Sequence, residues 1–254
     1  PIEELKNFRQ LHSKTPGHPE VGETVGVEIT TGPLGSGFAS GVGMALGARM
    51  EAARFENPHY ENRVVGIVSD GDLMEGVSNE AASIAGHLGL ANLVYFYDDN
   101  QITIEGSTDL AFSEDIPARF TALGWRVLKT DGHDFEQISK TMAEAFAVCD
   151  RPTLVVCKTH IGFGSPNRQD TAGVHGAPLG EEELAATKAA LGLPPDSFHV
   201  SDPVRAVFAE RAAHNENQRQ EWLAAVQAHN NSNATMAEAH QDFRDRHIPE
   251  GLLE

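Results

Sequence analysis

The chain has 254 residues, with 19 Lys and Arg against 37 Asp and Glu, so its formal net charge is −18. This negative charge argues against nucleic acid and anionic membranes as partners, because binding to either begins with neutralisation of phosphate groups. Apolar residues make up 40% of the chain, which suffices for a sizeable core and excludes disorder throughout. We therefore expect a globular protein with one large domain or two small ones.

The two cysteines, Cys149 and Cys157, cannot build a disulfide framework and match no zinc spacing. They indicate a reducing, cytoplasmic location, with both thiols as small core residues. The longest uncharged stretch, 29–48, contains six glycines and is too polar to span a membrane. No signal peptide is recognisable, and a helix predicted over 2–12 follows Pro1 directly. This start indicates a piece of a longer protein.

Short apolar runs alternate with helical patterns from residue 64 onward. The runs predict buried parallel strands over 64–68, 93–97, 125–128 and 153–157. Helices are expected over 75–88, over 115–122 and from Asp134, which caps a helix with Gln137 at its third position. This order predicts an α/β fold, a doubly wound parallel sheet with helices on both faces.

Other segments flank this alternation. The glycine-rich segment 32–37 leads into a helix, and 159–180 is a long loop of the kind that is often functional. Beyond residue 181 we predict helices over 181–191 and most of 203–229. The polar stretch around 229–233 is interpreted as a linker, because it offers little apolar surface to bury.

Polar residues follow two of the predicted strands where each strand ends. Asp70 and Gly71 come after the first strand and Asn100 after the second, at the edge where doubly wound sheets bind ligands. Carboxylate and amide oxygens suit Mg²⁺, which completes its shell with phosphate oxygens and water. Taken alone, each motif is better explained as an ordinary turn or strand end. Together they predict a magnesium–diphosphate site, favoured by a helix start near Leu73.

A second hypothesis is a nicotinamide-binding dehydrogenase, suggested by the glycine-rich segment 35–40. This segment lacks the third glycine of the dinucleotide motif, and no convincing strand precedes it. Tight binding of NADH would support this hypothesis.

Several longer motifs resemble transketolase. The Asp70-Gly71 pair followed by Asn100 matches the thiamine-diphosphate fingerprint, whose usual first glycine is Ser69 here. A serine fits at that position if its φ stays negative. The chain is also similar to transketolase over 11–20, 30–35, 96–100, 162–167 and 175–180. The resemblance implies a diphosphate-binding domain over 1–200, of the thiamine-diphosphate-binding fold, and a helical linker segment and tail over 201–254.

The resemblance also implies a role for each matching residue. Asp70 and Asn100 would bind Mg²⁺ (or Ca²⁺ or Mn²⁺) by their side chains, and Ile102 by its backbone carbonyl. Gly71 would donate its N–H to the diphosphate of thiamine diphosphate. Glu75 would lie near the dimer interface and influence the partner site.

The rest of the cofactor and the substrate are assigned in the same way. The aminopyrimidine ring would be lined by Gly32, Pro33 and Leu34. Ile161 would pack on the thiazolium ring. His18 and His175 would face a sugar-phosphate substrate and exchange protons with its hydroxyls, and His175 also counts among the cofactor residues. Without the resemblance, both would be interpreted as exposed loop histidines. We interpret the remaining candidates, His12, His87, His133 and His160, as structural or surface residues.

The implied activity is reversible transfer of a two-carbon ketol unit from a ketose phosphate to an aldose phosphate. In the family, the cofactor lies between this domain and the pyrimidine-binding domain of a partner subunit in a homodimer. That second domain is missing from the chain, so we expect no ketol transfer by the chain alone. The alternatives are dihydroxyacetone synthase, deoxyxylulose-phosphate synthase, a 2-oxo-acid dehydrogenase component, or a cofactor-binding fragment without activity.

Overall fold

The computed structural model describes residues 2–147, 150–248 and 251. The chain divides into two compact units, Pro1–Gly43 with Arg63–His199 and Met44–Asn62 with Val200–Glu254. The division into a domain over 1–200 and a helical segment over 201–254 stays a prediction. Met44–Asn62 groups with the C-terminal helices and not with its neighbours in the sequence.

The larger unit is built on a parallel sheet. The strands of the described chain are β1 (Val64–Ser69), β2 (Leu93–Asp99), β3 (Ile102–Thr103), β4 (Gly106–Ser107), β5 (Arg126–Asp131) and β6 (Thr153–Lys158). Four of them form one sheet in the order β1-β2-β6-β5, and every pairing in it is parallel. The short strands β3 and β4 form a separate antiparallel pair. The predicted parallel α/β fold is thereby confirmed.

The α-helices of the described residues are α1 (Ile2–Lys6), α2 (Ser36–Arg54), α3 (Asp70–Met74), α4 (Gly76–Leu88), α5 (Ile116–Ala122), α6 (Phe135–Ala145), α7 (Glu181–Ala190), α8 (Asp202–Ser232) and α9 (Ala234–Arg244). Asp134 caps α6 as expected, because its carboxylate accepts the backbone N–H groups of Glu136 and Gln137. None of the described helices is both long and apolar enough to cross a membrane.

Helices cover both faces of the sheet, because side chains alternate along each strand. On one face, the ring of Tyr95 stacks on Phe38 of α2, with centroids 4.5 Å apart, and Phe120 of α5 packs nearby. On the other face, Val94 and Val155 form a buried cluster with Ala145 of α6. The sheet is therefore doubly wound, as predicted.

The end of α2 nearest the sheet depends on Tyr95. Its hydroxyl donates to the carbonyl oxygen of Phe38 at 2.8 Å. The ring fits only because two residues against it lack side chains: a Cβ on Gly41 would lie 2.0 Å from the hydroxyl oxygen, and one on Gly66 2.2 Å from a ring carbon. The glycine-rich segment before α2 is thereby held beside β1 and β2.

Some sequence predictions are wrong in detail. The helix expected over 2–12 ends at Lys6, because Arg9 and His12 have φ of +62° and +61° and cannot continue it. Strand β1 lies at the edge of the sheet, and Val65 and Ile67 are 50% and 80% exposed instead of buried. The helix covering that face, α6, packs on β5 and β6. Cys157 is half-buried, and Cys149 lies outside the described residues.

The second unit is helical. The stretch around 229–233 is not an irregular linker: α8 runs to Ser232, and α9 follows after Asn233. Asn230 accepts hydrogen bonds from the side chains of Asn57 and Tyr60, which provides the polar partners that sequence patterns do not show. Within the same unit, the buried His240 contacts Glu51 at 2.5 Å and stacks on Tyr60.

Candidate cofactor site

The carboxyl ends of β1 and β2 lie side by side, since Ser69 pairs with Asp98 in the parallel register. Ser69 ends β1 with φ −122°, so the serine is accommodated without strain, as anticipated. Asp70 then begins α3, and the predicted helix start near Leu73 is wrong: α3 ends at Met74, and Glu75 joins it to α4. Both fingerprint segments thus reach the same edge of the sheet.

Asp70 is the buried acid at this edge, with a relative exposure of 4%. The hydroxyl of Tyr97 donates to its Oδ1 atom at 2.5 Å. Its Oδ2 atom is buried and has no hydrogen-bond partner among the described residues. A buried, unpartnered carboxylate oxygen is costly unless a donor or a cation satisfies it.

The surroundings of Asp70 disfavour its negative charge. Burial raises the pKa of Asp70, and the nearby carboxylates of Asp99 and Asp98 raise it further, against the opposing hydrogen bond from Tyr97. Burial and the neighbouring Asp70 also raise the pKa of Tyr97, so its hydroxyl stays protonated as a donor. A divalent cation would reverse the unfavourable field at this carboxylate.

Asn100 lies in a tight turn after β2. Its side-chain oxygen accepts the backbone N–H of Ile102 at 3.0 Å, and the intervening Gln101 has φ +61°. This turn brings the amide oxygen of Asn100 and the backbone of Ile102 close together. The two fingerprint segments are in direct contact, because α3, which begins at Asp70, packs against β2 and against β3, which begins at Ile102.

Asp72 ties the glycine-rich segment to this edge. Its carboxylate accepts the backbone N–H of Ser69 at 3.1 Å and that of Gly35 at 2.9 Å. Gly35 has φ +77°, and a Cβ there would lie 2.9 Å from the Cβ of Glu75. Leu34 approaches Gly71, since a Cβ at Gly71 would lie 3.2 Å from a Leu34 methyl carbon. The segment of Gly32, Pro33 and Leu34 is therefore fixed beside the fingerprint, with all three residues exposed.

The loop after β6 is attached to the same edge. Thr159 donates its backbone N–H to the carbonyl of Asp99 at 3.2 Å, and its hydroxyl bonds the carboxylate of Asp98. Ile161 follows, half-buried. A Cβ on Gly162 would lie 3.1 Å from a methyl carbon of Val174. Val174, which precedes His175, therefore packs against Gly162, which follows Ile161.

The predicted substrate histidines are less constrained. His175 is exposed and caps a short helical turn through its backbone N–H. His18 is exposed in an irregular segment. Within the part of the chain that the structure describes, no hydrogen bond joins either imidazole to another predicted site residue. Their roles stay predictions.

The residues at this edge fit a divalent cation held with a diphosphate. A cavity of about 390 Å³ lies beside Asp70, and its lining includes Tyr97, Asp99, Gln101, Lys129 and Lys158. The oxygen donors are one buried carboxylate, one amide and a backbone carbonyl, which are the hard ligands of Mg²⁺. No group of three or more His, Cys, Asp or Glu able to hold a metal occurs among the described residues. The cation would thus depend on phosphate oxygens for its remaining ligands.

Two residues of this site, Tyr97 and Asp72, were not identified as site residues from the sequence. Tyr97 was interpreted as a core residue of its strand, and only its register with Val68 brings it beside Asp70. Asp72 carries a recognisable signal, since Ser69 and Asp72 have the spacing of a capping box. The glycine-rich segment 35–40 has no strand before it within residues 2–35, so a dinucleotide-binding motif is incomplete there.

Comparisons with known proteins agree with this geometry. Residues 1–249 match the family described as transketolase, thiamine diphosphate binding domain. The chain is 49% identical to transketolase 1 of Escherichia coli over 217 residues, which are 84% of this chain and 33% of that protein. It is 47% identical to transketolase 2 of Xanthobacter flavus over 250 residues, 97% of this chain and 36% of that protein.

Solved structures give the same result. Transketolase from Leishmania mexicana superposes with a TM-score of 0.93 at 40% identity, over 99% of this chain and 38% of that one. Transketolase from Pichia stipitis, in complex with sedoheptulose 7-phosphate, superposes with a TM-score of 0.92 at 42% identity, over 98% and 38% of the two chains. The chain therefore spans 33–38% of the length of these relatives.

Proposed function

The chain belongs to the transketolase family, as its thiamine-diphosphate-binding domain, and on that premise we propose that it holds the diphosphate and cation of this cofactor. Asp70 and Asn100 bind the cation by their side chains and Ile102 by its carbonyl. Gly71 donates its N–H to the diphosphate. Mg²⁺ is the cation proposed first, with Ca²⁺ and Mn²⁺ as substitutes, because all the donors are hard oxygens.

One observation carries this proposal. The carboxylate of Asp70 is buried with one oxygen bound by Tyr97 and the other without a partner. Two further acids, Asp98 and Asp99, disfavour its charge. Such a carboxylate is stabilised when a cation binds the remaining oxygen.

The ring-binding residues follow from the same arrangement. Gly32, Pro33 and Leu34 line the aminopyrimidine, held in place through Gly35 and Asp72. Ile161 packs on the thiazolium ring. Leu34 lies against Gly71 after β1, and Ile161 follows β6, with β2 between these two strands, which supports the assignment of both groups to one cofactor.

In the complete enzyme we propose reversible transfer of a two-carbon ketol unit from a ketose phosphate to an aldose phosphate. Thiamine diphosphate, when bound, supplies the nucleophilic carbon and electron sink that no side chain provides. Breaking the bond next to the ketone carbon requires the neighbouring hydroxyl to lose a proton. His18 and His175 take up and return that proton, since an imidazole exchanges protons near neutral pH.

The partner proposed is a second copy of the full-length protein, whose pyrimidine-binding domain completes the site. Exposed apolar side chains on α4 support this proposal: Val77, Ile84 and Leu88 are 43%, 50% and 38% exposed, whereas Ala81 and Ala85 are buried. Glu75, just before α4 and beside Gly35, is proposed to lie near that interface and to influence the partner site. A cytoplasmic location and a role in pentose phosphate metabolism complete the proposal.

The test is isothermal titration of the chain with thiamine diphosphate, with Mg²⁺ and with chelator. We expect binding only with Mg²⁺, and its loss in Asp70→Ala. Glu182→Ala, which removes an exposed acid from α7, is the matched control and retains binding. Unchanged affinity in Asp70→Ala means that the cation site is misplaced.

Activity is tested separately. We expect no ketol transfer between xylulose 5-phosphate and ribose 5-phosphate by these 254 residues alone, because in the proposal the pyrimidine-binding domain of the partner subunit completes the site. Steady turnover by the pure chain contradicts this expectation. Addition of that domain in trans should restore transfer, and pyruvate or formaldehyde as the preferred substrate would instead indicate another thiamine-diphosphate enzyme.

A further inference from the structure

His160 and Asp170 join the two ends of the loop that follows β6. The backbone N–H of Asp170 donates to the carbonyl of Ile161 at 3.0 Å. The Nδ1 atom of His160 lies 2.9 Å from both carboxylate oxygens of Asp170. The ends of the loop therefore meet through one backbone contact and one side-chain pair.

The interior of this loop is also ordered. Gly162 accepts the N–H of Ser165 at 3.0 Å, and the side chain of Gln169 accepts the N–H of Gly164 at 2.9 Å. Asn167 binds the carboxylate of Glu183 at the start of α7. The segment 160–170 is thus a compact loop packed by its own side chains.

His133, from the turn between β5 and α6, contacts this loop at His160 and at Phe163. The backbone N–H of His160 donates to its Nε2 atom at 3.0 Å. The ring of His133 also stacks on Phe163, with centroids 4.0 Å apart and an interplanar angle of 18°. Because β5 and β6 are adjacent in the sheet, this contact fixes the loop to the rigid part of the unit.

The backbone at Asp170 has a conformation that glycine would adopt at lower cost. Asp170 has φ +58°, in the left-handed region that glycine adopts freely and other residues adopt at a cost. If the side chain at position 170 made no contact, glycine would suit this backbone better than aspartate does. The contact with His160 is what an aspartate adds there.

From these contacts we infer that His160 and Asp170 are positioning residues that close the loop and set Ile161 against the thiazolium ring. The inference rests on the proposed cofactor site, since Ile161 belongs to it. Neither residue touches the cofactor in this account. Their effect is transmitted through the backbone contact between Ile161 and Asp170, which the side-chain pair holds together.

The exposure of the two side chains sets how much is lost when the pair is broken. The side chains of His160 and Asp170 are 46% and 45% exposed, so solvent screens their interaction. A loss of about two- to fivefold is therefore expected when the pair is broken, as for the removal of one exposed hydrogen bond.

Two substitutions of Asp170 separate the inference from a purely local role. Asp170→Gly relieves the left-handed backbone but removes the carboxylate, whereas Asp170→Asn tolerates that backbone and still accepts from His160. Amide hydrogen exchange of the unliganded chain should be about two- to fivefold faster over 161–170 in Asp170→Gly, and nearly unchanged in Asp170→Asn. His160→Ala should reproduce the loss, and His160→Asn, which keeps a donor near Nδ1, should restore protection. Slower exchange in Asp170→Gly overturns the inference, because it means that the aspartate merely occupies a glycine position.

The dissociation constant of thiamine diphosphate with Mg²⁺, measured by titration calorimetry on the same variants, tests the link to Ile161. It should rise about two- to fivefold in Asp170→Gly and His160→Ala, and recover in Asp170→Asn and His160→Asn. A loop that loosens while the dissociation constant stays constant overturns the positioning role. If the unsubstituted chain binds no cofactor, the proposed function fails instead, and hydrogen exchange alone decides whether the pair closes the loop.

Discussion

The hydroxyl of Tyr97 donates a hydrogen bond to the Oδ1 atom of Asp70 at 2.5 Å, and both side chains are buried. The bond fixes the rotation of the carboxylate and leaves its other oxygen, Oδ2, without a partner among the described residues. Tyr97 lies in β2, and Asp70 directly follows the neighbouring strand β1, whose Val68 pairs with Tyr97. If Asp70 binds the cation as proposed, Tyr97 is expected to act as its positioning residue.

Tyr97→Phe should therefore weaken Mg²⁺-dependent binding of thiamine diphosphate by about tenfold, since a hydrogen bond to a charged group is lost. The measurement is a titration of Mg²⁺ at fixed cofactor concentration. Tyr60→Phe, which removes a buried hydroxyl bonded to Asn230 in the other unit, is the matched control and leaves the Mg²⁺ dependence unchanged. Equal Mg²⁺ affinity in Tyr97→Phe and the unsubstituted chain refutes the positioning role.

Asp72→Ala should lower the free energy of unfolding by about 1–3 kcal/mol, because the N–H groups of Ser69 and Gly35 lose their acceptor. It should also weaken cofactor binding, because the segment before α2 is released. Asp72→Asn keeps one acceptor oxygen and should recover part of both losses. Urea denaturation measures the first effect, and a chain as stable as the original would show that this contact is dispensable.

Gly41→Ala and Gly43→Ala should have opposite effects although both lie in α2. The methyl group at position 41 would meet the Tyr95 hydroxyl oxygen at 2.0 Å, whereas nothing lies within 4 Å at position 43. We expect Gly41→Ala to destabilise the chain by about 1–3 kcal/mol through overpacking. Gly43→Ala should stabilise it by about 0.5–1 kcal/mol, since alanine favours the helix. The melting temperatures of the two variants measure these changes in stability. A shift of the same sign in both would contradict the close contact between position 41 and the Tyr95 hydroxyl.

The acid stability of the loop before α7 should depend on Glu183. Hydrogen bonds from Ser165 and Asn167 lower the pKa of Glu183 from 4.5 to about 2. A lowered pKa means that the carboxylate stabilises the folded chain above pH 4.5, and that this contribution is lost as the pH falls towards 2. The difference in unfolding free energy between the original chain and Glu183→Gln should shrink over that interval. A difference that is constant from pH 5 to pH 2 would show that these bonds do not favour the charged form.

The sheet could be predicted because its signal is local. The apolar runs at 64–68, 93–97 and 153–157 correspond to β1, β2 and β6, and the buried residues Val94 and Val155 require no knowledge of distant contacts. The features that could not be predicted depend on contacts between residues far apart in the sequence. The hydroxyl of Tyr97 acquires its role only when β1 and β2 pair. The exposure of Ile67 depends on where α6 packs, and the helix around Asn230 depends on its contacts with Asn57 and Tyr60.

The candidate site was predictable to a similar degree. Asp70 and Asn100 followed from their places after neighbouring strands, and the structure packs α3, which begins at Asp70, against β2 and β3, which flank Asn100. Which groups hold these residues in place did not follow, since Asp72 and Gly35 are far apart in the sequence. The histidines depend on resemblance alone, because an exposed imidazole such as that of His18 makes no contact from which its role can be read.

The most direct test of the account is the melting temperature of the pure chain with thiamine diphosphate, measured once with Mg²⁺ and once with chelator. At a hundred times the dissociation constant the cofactor should stabilise the chain by about 2.7 kcal/mol, which corresponds to roughly 5 °C or more. We expect this shift only with Mg²⁺, and none in Asp70→Ala. An equal shift with chelator, or one that Asp70→Ala retains, would contradict a cofactor held through a cation at Asp70.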